Sequence, residues 1–138
     1  MLSVIVCTYN RSGYIFNVLE SVARNLLPVS EYEVVVVDNN STDNTRGEVE
    51  RFARTWGDVR VSYVFEERQG LSFARNRGVE VAKGDVVVYV DDDALVNREF
   101  LASYKEFFDR HVELPCRDRG PAARPGHGRR PQGARPRR

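Results

Sequence analysis

The first 108 residues alternate short apolar runs with segments of helical period, and that alternation restricts the possible folds more than any other feature of the chain. Leu2 to Cys7 is a nearly unbroken apolar run, the pattern of a strand covered on both faces. Ile15, Val18, Leu19, Val22 and Leu26 then recur at helical spacing, with Ser12 as the expected cap and Pro28 as the stop. Glu33 to Val37 is a second buried strand. The helix expected after it is capped by Ser41 or Thr42, turns Val49, Phe52, Ala53 and Trp56 inward, and ends at Gly57. Arg60 to Phe65 alternates as a third strand. Leu71 to Ala82 is predicted to be a helix with Leu71, Ala74, Val79 and Ala82 facing in, Asp85 to Val90 a fourth strand, and Arg98 to Phe108 the last helix. Strands and helices alternating over short loops predict an α/β fold, a mainly parallel, Rossmann-like sheet with helices on both faces. Ligands of such sheets lie at the carboxyl ends of the strands.

Composition changes near Phe108. Residues 1–108 hold 12 Lys+Arg and 17 Asp+Glu, net −5, whereas residues 109–138 hold 9 and 3, net +6. Five of the six prolines fall in the second part, and Arg117 to Arg138 is almost wholly Arg, Gly, Pro and Ala. Without apolar side chains to bury, such a segment does not offset its chain entropy, and residues 109–138 are expected to be a disordered basic tail. One functional reading is an arm for nucleic acid or an anionic surface. The favoured hypothesis is a shifted reading frame, because these four residue types share GC-rich codons and the change is abrupt. Translating the downstream DNA in the other two frames, and finding no globular continuation, counts against it. No nucleic-acid partner is expected. No apolar run approaches the ~20 residues of a membrane span. Cys7 and Cys116 alone give no disulfide framework and fit a reducing cytosol, so a cytoplasmic protein is expected.

The strand ends carry the chemistry. After the fourth strand stand Asp91, Asp92 and Asp93, three adjacent carboxylates that repel one another unless a counter-charge is present. A divalent cation is the usual remedy, and hard oxygen ligands suit Mg²⁺ or Mn²⁺. After the first strand come Cys7, Thr8, Tyr9, Asn10 and Arg11, and after the second Asp38, Asn39, Asn40, Ser41, Thr42 and Asp43. A carboxylate such as Asp38 can accept hydrogen bonds from a base imide, Tyr9 can stack on the base, and Arg75 can meet phosphate charge. Taken singly, each has a plainer explanation: a solvated acidic loop, an Asx turn with a helix cap, a half-buried loop aromatic, a solvated helix face. Their convergence on one sheet edge is what those explanations leave over.

Val4 to Arg11, Val36 to Asp43, Gly70 to Asn76 and Val90 to Asp93 together resemble the family 2 glycosyltransferases with the GT-A fold, over roughly residues 2–108. The resemblance implies transfer of a sugar from a nucleotide-diphosphate sugar, most often a UDP-sugar, with Mn²⁺ or Mg²⁺, to an acceptor that is a glycan, a lipid or a small molecule. It implies that Cys7, Thr8 and Tyr9 form the base-contacting loop, that Asp38 meets the uracil, and that Arg75 lies near the nucleotide. It also implies that Asp91 and Asp93 are the ends of an Asp-any-Asp metal motif, with Asp91 near the ribose and Asp93 on the ion. Arg68 stands where the family commonly has Asn, which leaves a ribose-side contact open.

In this family the acceptor-binding half follows the Asp motif and supplies the general base of inverting members. Nothing after Phe108 reads as that half, so the domain is expected to stop after the motif. A missing general base costs ~10²–10⁴-fold in rate, and a missing acceptor pocket up to ~7–11 kcal/mol of positioning. An inactive nucleotide-binding fragment is therefore the alternative reading. A nucleotidyltransferase is more distant, because Thr8 to Gly13 is not the Gly-rich basic loop that such enzymes place after strand one.

Overall fold

A computed structural model describes residues 1–111; the expectation of a disordered or frameshift-derived tail falls almost wholly outside the described residues. The valine-rich runs form four parallel strands, β1 (Leu2–Thr8), β2 (Tyr32–Asp38), β3 (Val61–Phe65) and β4 (Val86–Tyr89). Their order in the sheet is β3-β2-β1-β4. β1 pairs along its whole length with β2, from Leu2 opposite Tyr32 to Thr8 opposite Asp38, and on its other side with β4, from Leu2 opposite Val86 to Ile5 opposite Tyr89. The chain thus winds outward from β1 to β3 and then crosses back over the sheet, which makes the β1/β4 boundary a topological switch point.

The helices are α1 (Ile15–Ala23), α2 (Thr45–Thr55), α3 (Leu71–Val81) and α4 (Phe100–Arg110). One face of the sheet packs Val4, Val6, Val34 and Val36 against α1, α2 and Leu101 of α4. The other packs Ile5, Val35 and Val37 against Ala74 and Ala82. Strands covered on both faces need apolar residues at every position, which explains why alternation is missing from β1 and β2.

Several local expectations are corrected. Neither α1 nor α2 has a side-chain cap; the cap positions are Tyr14 and Asn44. The expected caps are used across loops instead: the Ser12 amide donates to Asp43, the Ser41 hydroxyl accepts from the Asn10 amide, and the Thr42 amide donates to Asn10 Oδ1. α1 ends before Pro28 is reached, leaving Leu26 55% exposed, and Ala53 is exposed on α2. On α3, Leu71 and Val79 are exposed; the buried face is Ala74, Gly78 and Ala82. A Cβ on Gly78 would lie 2.6 Å from Ile5 Cγ2, so small residues at every fourth position let this helix lie close on the sheet.

At the amino ends of the strands, Glu33 is buried yet satisfied. Its Oε1 accepts from the Ser3 hydroxyl at 2.6 Å and the Lys83 amide at 2.6 Å, and Ser3 in turn accepts from the Gly84 amide. That network fastens the α3–β4 turn beneath the sheet and leaves the opposite end for the site.

Candidate functional site

Three loops meet at the carboxyl end of the sheet, and side-chain amides hold them in register. Asn10, in the left-handed region at φ 51°, accepts the Thr42 amide at 2.7 Å and the Asp43 amide at 3.3 Å, which joins the loop after β1 to the loop after β2. Asp43 reinforces the junction by accepting from the Ser12 and Thr45 amides, at 3.0 Å each. Burial raises the Asp43 pKa, but hydrogen bonds from Thr45 and Ser12 outweigh it and hold the carboxyl at about 2. Asn39 joins the β2 end to the loop before α3, where Gly70 adopts φ 142°, a conformation open to glycine.

Between these loops lies a cleft of about 520 Å³ at the switch point, lined by Cys7, Thr8, Tyr9, Asn39, Gln69, Gly70, Leu71, Ala74, Asp91, Asp92 and Asp93. Thr8 is 2% exposed, and its hydroxyl has no partner, which leaves a buried donor and acceptor at the cleft wall. Tyr9 is 48% exposed and offers a ring face. Burial pushes the Cys7 thiol up to about 11; nearby Arg75 pulls it down less strongly, and Asp92 adds to the rise.

Of the residues singled out from sequence, Cys7, Thr8, Tyr9, Asp91 and Asp93 line this cleft; buried Asp38 and exposed Arg75 are not among its lining residues. Asp38 is buried, its Oδ1 accepting from the Ser41 amide at 2.9 Å and its Oδ2 from the Tyr63 hydroxyl at 2.7 Å. Burial, then the hydrogen bond to Asp38 and its charge, push the Tyr63 hydroxyl well above the usual phenol value. The Arg75 guanidinium lies over the Tyr89 ring, 5.4 Å from its centroid.

The Asp triplet forms a turn closed by the Ala94 amide donating to the Asp91 carbonyl at 3.1 Å. Arg11 Nε is 3.7 Å from Asp92 Oδ1 and supplies one of the counter-charges that sequence reasoning assigned to a cation. Among the described residues, Asp91 and Asp93 make no side-chain hydrogen bond or ion pair, and no three acidic, His or Cys side chains form a ready-made metal cage. Two free carboxylates facing one cleft still suit Mg²⁺ or Mn²⁺, which commonly take one or two protein carboxylates and complete their shell with phosphate and water.

Sequence reasoning assigned none of Asn39, Gln69, Gly70, Leu71 and Ala74 to the site by name; Leu71 and Ala74 were placed on the inward face of a helix. Gly70 carried a signal within the Gly70 to Asn76 motif, and Asn39 within the Val36 to Asp43 motif, but neither motif said what the individual residue does.

The geometry defines a doubly wound α/β domain with an acid-rimmed ligand cleft at its switch point. Residues 3–132 match the family described as Glycosyl transferase family 2. The chain is 40% identical over 109 residues to the poly(ribitol-phosphate) beta-N-acetylglucosaminyltransferase TarS of Staphylococcus aureus, covering 79% of this chain and 19% of that protein. The crystal structure of that TarS in complex with UDP-GlcNAc superposes with a TM-score of 0.71 at 37% identity, over 80% of this chain and 32% of the other. The mannosyltransferase PcManGT from Pyrobaculum calidifontis, in complex with GDP-Man and Mn²⁺, gives a TM-score of 0.74 at 38% identity, over 78% and 32%. The chain belongs to glycosyl transferase family 2 and has a GT-A-like fold. It spans about a fifth of the length of the first curated relatives it matches. No helix among the described residues is long and apolar enough to cross a membrane.

Proposed function

We propose that this chain carries the donor site of a glycosyltransferase that moves a sugar from a nucleotide-diphosphate sugar, a UDP-sugar, to a glycan, lipid or small-molecule acceptor. The observation that carries the reading is the cleft itself, where an aromatic ring, an unpaired buried hydroxyl, the first turn of α3 and two free carboxylates converge at a switch point. In this reading Tyr9 stacks on the base while Cys7 and Thr8 line its edge. The Thr8 hydroxyl gains the partner it lacks. Asp38 shapes the base pocket from behind, through Ser41 and Tyr63. Asp91 faces the ribose, and Asp93, with Asp91, holds the divalent ion. Bound Mn²⁺ or Mg²⁺ would stabilise the negative charge that develops on the departing diphosphate. Arg75 contributes positive charge from the α3 side, at the distance its stacking on Tyr89 sets.

Calorimetric titration of UDP with and without Mn²⁺, into the protein and into Asp93→Ala, tests this. Binding that strengthens with metal in the first and loses that dependence in the second is expected. Equal metal-dependent binding by both removes Asp93 from the ion, and no UDP binding under any condition overturns the donor site. A second reading, nucleotide binding without transfer, is favoured by one observation: among the described residues, every carboxylate lining the cleft comes from one turn. Release of UDP from UDP-sugars in the presence of candidate acceptors separates the two.

A further inference from the structure

Asn39 is 7% exposed, and every polar group it has is committed. Its backbone amide donates to the Thr8 carbonyl at 2.8 Å, at the end of β1. Its side-chain Nδ2 donates one hydrogen to the Glu66 carbonyl at 3.2 Å and the other to the Arg68 carbonyl at 2.6 Å. Its Oδ1 accepts from the Gly70 amide at 2.9 Å, and its backbone carbonyl accepts from Gln69 Nε2 at 2.7 Å. One side chain thus binds both arms of the loop 66–70, and the loop ends in Gly70, where α3 begins. Gln69, Gly70, Leu71 and Ala74 form one wall of the cleft. Glu66 and Arg68 brace the loop through a two-point ion pair, Nε to Oε1 at 2.9 Å and a terminal nitrogen to Oε2 at 3.0 Å, and the Glu66 amide donates to the Asp38 carbonyl at the end of β2, but it is Asn39 whose side chain spans from Glu66 to Gly70.

We propose that Asn39 is a positioning residue of the donor cleft: its carboxamide fixes the loop 66–70 and the start of α3 at the distance from Thr8 and Tyr9 that a nucleotide requires. The inference rests on the donor-site reading of the cleft. Only a carboxamide supplies two donors and an acceptor from one planar group of this length. Aspartate has the same shape, yet when ionised it sets a charged acceptor against the Glu66 and Arg68 carbonyls and leaves both unpaired. Protonation returns one donor. An aspartate here therefore adds to the cleft a dependence on pH that the carboxamide does not have, read as the difference from wild type at each pH.

The test compares wild type, Asn39→Asp and Asn39→Ala by amide hydrogen exchange and by UDP affinity from pH 8 to pH 5. Asn39→Asp is expected to lose exchange protection at Gly70–Phe73 at pH 8, while β1 and β2 stay protected, and to weaken UDP binding by about tenfold or more. Both effects should diminish toward pH 5. Asn39→Ala, which buries no charge, should show the losses at every pH. Wild-type protection and affinity in Asn39→Asp overturn the proposal, as does protection lost evenly across the whole sheet in both variants. If the wild type itself binds no UDP, the donor-site reading falls, and exchange at Gly70–Phe73 alone decides whether Asn39 sets the loop.

Discussion

Cys7 lines the cleft as a neutral thiol. With its pKa pushed to about 11 by burial, against the weaker pull of Arg75 and with Asp92 adding to the rise, very little of it is thiolate at pH 8. Iodoacetamide should modify the Cys7 peptide more than about tenfold more slowly than free cysteine at pH 8, with a rate still climbing beyond pH 9.5. A fast reaction that levels off below pH 9 would show an activated thiol and contradict this environment. The same scale shows what single residues disclose before folding. Asp91 and Asp93 were legible because three adjacent carboxylates are chemically conspicuous wherever they fall. Asn39 was not, since its partners, Thr8 on one side and Glu66 to Gly70 on the other, are remote in sequence, and an asparagine after a strand is most simply a turn residue. Asp38 was conspicuous too, but the Tyr63 hydroxyl that takes up one of its oxygens arrives from a different strand.

Elements were easier to locate than to orient. All four strands and four helices lie where the apolar periods place them, with ends shifted by a few residues, yet the inward face of α3 differs from expectation. Periodicity weighs large side chains, and so it favoured Leu71 and Val79. The contact with Ile5 and Val37 is instead made by a stripe of small residues whose value lies in close approach. Gly78→Ala measures that approach. In an open helix the change gains up to about 1 kcal/mol. Here the added methyl meets Cγ2 of the fully buried Ile5, and overpacking of this kind costs about 1–3 kcal/mol. Urea denaturation should therefore find Gly78→Ala less stable than wild type. Gly57→Ala, where the added atom meets nothing within 4 Å, should be nearly neutral. A stabilised Gly78→Ala would mean the helix stands off the sheet.

For the molecule as a whole, acid should act through the loops that frame the site. Hydrogen bonds from the Arg68 side chain and backbone hold Glu66 at about 2, against an unfolded value of roughly 4.3. A depressed carboxylate stabilises the folded state above its unfolded pKa, and this contribution declines as pH falls from about 4.3 toward 2. Asp43 behaves in the same direction over a similar range. Glu66→Gln should thus be less stable than wild type at pH 7, with the difference shrinking below pH 4; a constant gap down to pH 2.5 would remove Glu66 from the acid response. The fold class itself was legible, because a parallel sheet with both faces covered leaves an unmistakable rhythm in the chain. The same rhythm placed the strand-end loops on one sheet edge; what it could not give was the side-chain hydrogen bonds of Asn10 and Asn39 that join them.

The strand order has a further consequence for how the protein is made. β1 lies inside the sheet with β2 on one side and β4 on the other, so it finds its first partner once Asp38 has left the ribosome and its second only after Tyr89. Parallel pairing across such separations is slow to close, and domains assemble as their chain emerges. The face built by α1 and α2 therefore becomes available early, and the Asp91–Asp93 turn, carried in by the last strand, late. Most of that face can form before the site does, and Val90 and Leu101 complete it with the Asp turn or after it.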